Sequence, residues 1–337
     1  MQIGIFGAGA IGCFLGTRLS AAGESVRLLA RPDVVAVADQ LEAVDHAGAT
    51  ARAKGLVASD DPEVLRGVEV CLVTVKSQDT PAAIEALRPR LGPDALVVSF
   101  QNGLANAKRL DAGLEGPAVQ GIVTYNVYRD GPARTRQATM GKLVIGAEAR
   151  APKAFGRVVD ALRRAGERVD VTEHIEGEVA GKLLINLNNG VCAATGLPIT
   201  AALRDRDART VFAACIAEGV RAFRAEGVRP RSPYAIPIPA IARLLALPNA
   251  IVLRVAKGLV AAHPTAKSST LQDLERGRKT EIADLNGAIV ELARAHGLPC
   301  PANTAVVDTI REHEAAIDRG EAPRFVDPVT LRARVRG

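Results

Sequence analysis

The chain has 337 residues, 48% of them hydrophobic and 24% charged, with a formal net charge of +6. That length suits two domains better than one, and the composition is ordinary for a globular protein. Trp is absent and aromatics make up 3%, which argues against the stacking platforms of single-stranded nucleic-acid binders. Arg alternates with Asp and Glu, so no basic face for nucleic acid is expected.

The sequence opens on Met1-Gln2-Ile3-Gly4-Ile5-Phe6. No basic segment precedes this apolar run and no small-residue cleavage site follows it, so no leader is expected and the protein is read as cytoplasmic. Short β-branched runs at 2–6, 25–30, 69–75, 95–100, 119–124 and 143–145 read as strands, with helical patterns near 11–22, 80–91 and 104–110. This alternation predicts an α/β domain with right-handed crossovers and a largely parallel sheet covered on both faces.

Gly7-Ala8-Gly9-Ala10-Ile11-Gly12 follows the first strand and opens a helix. Gly7 permits the tight turn, Gly9 lets backbone approach a pyrophosphate, and Gly12 allows close helix packing. The helix N-terminus adds free N–H groups and a positive dipole end. A strand–loop–helix in this place marks a Rossmann-type doubly wound sheet that binds a dinucleotide. At the end of the second strand, where an NAD enzyme carries Asp or Glu, stands Arg31. Its guanidinium pairs with a 2′-phosphate, so NADP (NADPH) is favoured; Asp33 keeps NAD open. Lys76 and Gln78 follow the third strand and Asn102 the fourth, facing the cofactor crevice at the strand C-termini. Asn102 either brings an amide to the nicotinamide or caps the next helix.

From about residue 171 the character changes. Patterns at 173–194, 208–226, 238–245, 249–261, 281–296 and 303–314 read as helices, with a proline-rich loop at 229–239. The division is therefore 1–170, a dinucleotide-binding domain, and 171–337, an all-helical domain for substrate and catalysis. The most apolar later stretch, 241–262, is interrupted by Arg243, Pro248, Arg254 and Lys257, so no membrane span is expected. Cys13, Cys71, Cys192, Cys215 and Cys300 form no CxxC pair and have no His at ligand spacing, which predicts reduced, mostly buried thiols and no metal site.

Within 178–191, Lys182, Asn186 and Asn189 fall in one sector at 100° per residue. Leu183, Leu184, Leu187 and Val191 lie on the other side. Asn is a poor interior helix former, so Asn186, Asn188 and Asn189, followed by Gly190, point to a polar face lining a cleft. This makes Lys182, Asn186 and Asn189 candidate site residues. Further on, Ser269 and Gln272 have capping-box spacing, and Thr280 with Glu281 could open the helix at 281–296.

These residues resemble the ketopantoate reductase (2-dehydropantoate 2-reductase) family over nearly the whole chain. The resemblance is carried by IGIFGAGAIG, VKSQDT, QNG at 101–103, GKLLIN at 181–186, KSSTLQDLERGRKTEIADLNG at 267–287 and HGLPCPANT at 296–304. It implies NADPH-dependent reduction of ketopantoate to pantoate, on the way to pantothenate and coenzyme A. Lys182 would be the general acid. Asn186 and Glu281 would bind the substrate's hydroxyl region and Ser269 its carboxylate, with Asn102 between nicotinamide and substrate. One position departs: some members carry Asn eight residues after the Lys, where this chain has Gly190. That departure leaves open a different small 2-oxo acid, and the fold alone leaves open an NADP-sensing protein without turnover. A homodimer through the helical domain is compatible with the sequence.

Overall fold

The computed structural model describes residues 1–255 and 266–336. The chain divides into two compact units, Met1–Ile175 and Glu176–Gly337.

In the first unit the elements run β1 (Gln2–Phe6), α1 (Ala10–Ala21), β2 (Ser25–Leu29), α2 (Pro32–Val35), β3 (Glu42–Val44), β4 (Thr50–Arg52), β5 (Val57–Ser59) and β6 (Val70–Val73). Then come α3 (Thr80–Leu87), β7 (Leu96–Ser99), α4 (Asn106–Gly113), β8 (Ala118–Val123), β9 (Val127–Arg129), β10 (Arg134–Gln137), β11 (Leu143–Gly146), α5 (Pro152–Arg164) and β12 (Val169–Thr172). Eight strands form one sheet in the order β12-β11-β8-β7-β6-β1-β2-β5. All its pairings are parallel except β8 with β11. Every residue of β6, β7, β8 and β11 is buried, as a sheet covered on both faces requires. Strand order reverses at β1, between β2 and β6, which is where such sheets bind ligands.

The expected α/β alternation is present, and four further strands make a small second sheet, β4-β3-β10-β9, packed on α1. These strands are three or four residues long and rich in Arg and Thr. They carry no apolar alternation to read, because their stability comes from the partner strands and from α1.

The second unit comprises α6 (Ile175–Asn186), α7 (Asn188–Thr195), α8 (Ile199–Arg204), α9 (Arg206–Ala225), α10 (Ile238–Leu245), α11 (Asn249–Val255), α12 (Ser269–Glu275), α13 (Asn286–Ala295), α14 (Pro301–Asp318) and α15 (Pro328–Arg336). No strand occurs among its described residues. Residues 256–261 of the expected 249–261 helix, and the end of the apolar stretch 241–262, lie outside the described residues. None of the described helices is long and apolar enough to cross a membrane.

Two buried charges tie this unit together. The Arg209 guanidinium donates to the carbonyls of Leu203, Leu245 and Leu247 and to Asn249 Oδ1 at 2.7–3.1 Å. It thereby satisfies orphan carbonyls at the C-terminal ends of α8 and α10, where a cation is favoured. Glu218 accepts from the backbone N–H groups of Ala302 at 2.8 Å and Asn303 at 2.9 Å, capping α14 from a distant helix. The HGLPCPANT stretch is thus accounted for by packing.

Candidate active site

Register sets the first unit's site. Phe6 pairs with Leu29 and with Val73, and Val73 pairs with Ser99. The segments after these residues therefore leave the sheet level with one another, along its carboxyl edge. They carry the glycine loop, Arg31, Lys76 and Asn102.

The loop has the geometry a pyrophosphate needs. Gly7 has φ +110°, and a Cβ on Gly12 would lie 1.9 Å from Gly7 O and 2.6 Å from Thr74 Oγ1. A Cβ on Gly9 would meet nothing within 4 Å, so the backbone there is open to close approach. No side chain caps α1, which leaves its first N–H groups for an anion. Ala8, Ala10 and Ile11 complete the turn into α1. Arg31 ends the β2 segment as expected, with its side chain 72% exposed and 3.6 Å from Asp33. Lys76 is half-buried, and Gln78 is exposed within a 3₁₀ turn at Ser77–Asp79.

Asn102 does not cap the following helix. α4 starts at Asn106 behind Ala105, and no side chain caps it. Instead the Asn102 carbonyl accepts from Ser77 Oγ at 2.8 Å and Asn106 Nδ2 at 2.5 Å. Gln101 Nε2 donates to Thr80 Oγ1 at 2.8 Å and to Lys76 O at 3.3 Å, and Thr80 Oγ1 donates to Asn106 Oδ1 at 2.9 Å. This buried network clamps the Lys76 and Asn102 loops together. The sequence reading gave no role to Thr74, Ser77, Thr80, Gln101 and Asn106; the available signal was confined to Gln101, a polar residue directly after the apolar run 95–100.

In the second unit the expected single helix at 173–194 is two, parted at Leu187. Leu187 keeps right-handed helical dihedrals and bonds back to Leu183, so the break is slight. It falls among the asparagines, where helix propensity is lowest. Leu183, Leu184, Leu187 and Val191 are buried, while Lys182, Asn186 and Asn189 are partly exposed, as the sector analysis requires. Gly181 allows close approach beside Lys182: a Cβ there would lie 1.6 Å from Arg231 O. Arg231 N donates to Gly177 O at 2.8 Å, and its guanidinium lies 3.6 Å from Glu178.

Burial lowers the Lys182 ammonium to about 8, and the Glu281 charge acts in the opposite sense. An amine titrating near neutrality is suited to proton transfer. Glu281 lies just ahead of a 3₁₀ turn at Ile282–Asp284, and the helix expected from 281 starts at Asn286. Thr280 therefore does not cap that helix. Its Oγ1 accepts from Ile282 N at 3.2 Å and donates to Glu314 Oε1 at 2.7 Å.

The capping box at Ser269 and Gln272 is also corrected. Ser268 is the N-cap of α12: its Oγ accepts from Leu271 N and donates to Asn189 O, both at 3.2 Å. Ser269 is the first residue of α12 and is exposed, so its hydroxyl is not used as the cap. Gln272 Nε2 donates to Lys267 O at 3.1 Å.

Gly190 is a packing glycine. A Cβ there would lie 2.4 Å from Asn286 Oδ1 and 2.7 Å from Val306 Cγ1, so the missing side chain leaves no extra room for a substrate. Four of the cysteines are buried and Cys300 is partly so, all as free thiols. Among the described residues no group of three or more His, Cys, Asp or Glu could hold a metal ion.

Residues 3–150 match the family described as Ketopantoate reductase PanE/ApbA, and residues 174–314 match its C-terminal counterpart. A 2-dehydropantoate 2-reductase of Halobacterium salinarum is 30% identical over 319 residues, which is 92% of this chain and 98% of that protein. The crystal structure of a PanE/ApbA family ketopantoate reductase from Ralstonia eutropha is similar with a TM-score of 0.81 and 32% identity, covering 94% of this chain and all of that one. A D-mandelate dehydrogenase solved with NADH and anilino(oxo)acetate shares the fold at 18% identity and a TM-score of 0.74, over 94% of this chain and 100% of that one.

Proposed function

The chain belongs to the ketopantoate reductase family, a family of pyridine-nucleotide-dependent oxidoreductases acting on CH–OH groups, and on that premise we propose that it reduces ketopantoate to pantoate with NADPH. The observation that carries this reading is Lys182, an amine brought to about 8 by burial and opposed by the Glu281 charge. The reduced nicotinamide supplies the hydride. As negative charge grows on the ketone oxygen, the Lys182 ammonium stabilises it and transfers a proton from Nζ. Glu281 keeps Lys182 protonated near neutral pH and, with Asn186 and Asn189, meets the substrate's hydroxyl region. Ser269 offers its free hydroxyl to the carboxylate. The glycine loop holds the pyrophosphate, Arg31 the 2′-phosphate, Lys76 and Gln78 the ribose and phosphate oxygens, and Asn102 the nicotinamide end.

Gly190, the departure that leaves a different 2-oxo acid open, packs against Asn286 and Val306 and no longer favours another substrate. The test is a panel of 2-oxo acids assayed with NADPH and NADH by loss of nicotinamide absorbance. Ketopantoate with NADPH should give the highest kcat/KM. A higher value for another oxo acid would overturn the substrate, and equal values for the two nucleotides would overturn the cofactor.

A further inference from the structure

Lys182 has a carboxylate one turn behind it on its own helix. Glu178 precedes it by four residues in α6, the spacing and order in which a Glu–Lys pair forms on a helix surface. Glu178 pairs elsewhere. Its Oε1 lies 3.6 Å from the Arg231 guanidinium, and the carboxylate whose charge acts on Lys182 is that of Glu281.

Backbone delivers this partner. The segment 229–231 crosses α6 in a notch left by Gly177 and Gly181, four residues apart. A Cβ on Gly177 would lie 2.7 Å from Arg229 O, and one on Gly181 1.6 Å from Arg231 O, so a side chain at either place would push the segment off. Arg231 N donates to Gly177 O at 2.8 Å, which holds residue 231 beside Glu178. The charged groups placed around Lys182 are thus Glu178 on its own helix, Arg231 on the crossing segment and Glu281 ahead of the 3₁₀ turn. A half-exposed ion pair adds little stability. Its consequence is where the Glu178 charge goes, because a carboxylate beside an ammonium holds the proton more tightly and makes it a weaker acid.

We propose that Arg231 is a positioning residue for the reduction: it keeps the Glu178 carboxylate off the Lys182 ammonium, which is left to Glu281 and the ketone. This rests on the reading of Lys182 as the acid.

The experiment compares pH–rate profiles for ketopantoate reduction. In Arg231→Ala, Glu178 is free to pair with Lys182, so the alkaline limb should move up by about half a pH unit or more and kcat on the plateau should fall about threefold or more. Arg231→Lys keeps the charge and should keep the limb close to wild type. Adding Glu178→Gln to Arg231→Ala should return the limb to its wild-type position, a repair that a merely structural loss would not show. Circular dichroism checks the fold of each variant, and Arg231→Gln repeats the test should Arg231→Ala not fold. An unmoved limb in the folded Arg231 variant overturns the proposal, as does a limb that stays displaced in the double variant. An alkaline limb that survives in Lys182→Ala would overturn the acid role itself. A limb lost there but unmoved in Arg231→Ala would overturn this inference alone.

Discussion

The carboxylate of Glu281 raises the pKa of the Lys182 ammonium against a burial effect that brings it down to about 8. A general acid works in its protonated form, so reduction should proceed at full rate below this value. Above it, kcat/KM should fall about tenfold per pH unit. Lys182→Ala should lose about 10²-fold or more in turnover, lose this alkaline limb, and retain nucleotide affinity. A pH–rate profile on both proteins checks this; a wild-type limb surviving in the Ala variant would remove Lys182 from the acid role.

Glu281→Gln makes the same pair testable from the other side. The amide keeps the shape but removes the charge that favours the ammonium, so the Lys182 pKa should drop below about 8. The alkaline limb then moves toward lower pH, and activity at neutral pH falls because less of the amine is protonated. A variant that loses activity at all pH values alike, with the limb unmoved, would mark Glu281 as a contact to the substrate without this electrostatic part.

The regions that sequence alone places well are those where local constraints coincide. β1, the glycine loop and α1 combine a buried strand, a positive φ at Gly7 and a helix start within a few residues. The leucine face of α6 and α7 is equally legible, since periodicity and burial give one answer. What sequence does not place depends on partners far along the chain. β3, β9 and β10 are strands because they pair with one another and lie on α1. Glu218 caps α14 from a residue more than eighty positions away. Adjacent serines are a subtler case. Ser268 and Ser269 have the same chemistry, and the extended backbone at 268, φ −65° and ψ 154°, selects the cap.

That selection separates stability from binding at neighbouring positions. Ser268→Ala removes the hydroxyl that accepts from Leu271 N and donates to Asn189 O, and should cost about 0.5–2 kcal/mol of stability. Ser269→Ala should change stability by less than about 0.5 kcal/mol. In the proposed role it should raise KM for the keto acid about tenfold, with kcat less affected. Thermal denaturation with steady-state kinetics distinguishes the two. A large stability loss in Ser269→Ala would return the capping role to it, and an unchanged KM would take it out of carboxylate binding.

Gly190 gives a prediction of the opposite kind, a position inside the candidate site helix pair whose substitution should not act through substrate. The Cβ of Gly190→Ala would press on Asn286 Oδ1 and Val306 Cγ1. Asn286 is fully buried, its Nδ2 donates to Asn303 Oδ1 at 3.0 Å, and its Oδ1 has no hydrogen-bond partner among the described residues. Moving Asn286 aside would disturb the Asn303 and Glu218 contacts that cap α14, so the added methyl meets a side chain with little freedom to yield. The expected cost is about 1–3 kcal/mol of stability. The KM of the protein that remains folded should stay close to wild type, because this side chain points into the helical core. A selective rise in KM at unchanged stability would place residue 190 against the substrate and restore it as a determinant of which oxo acid is reduced.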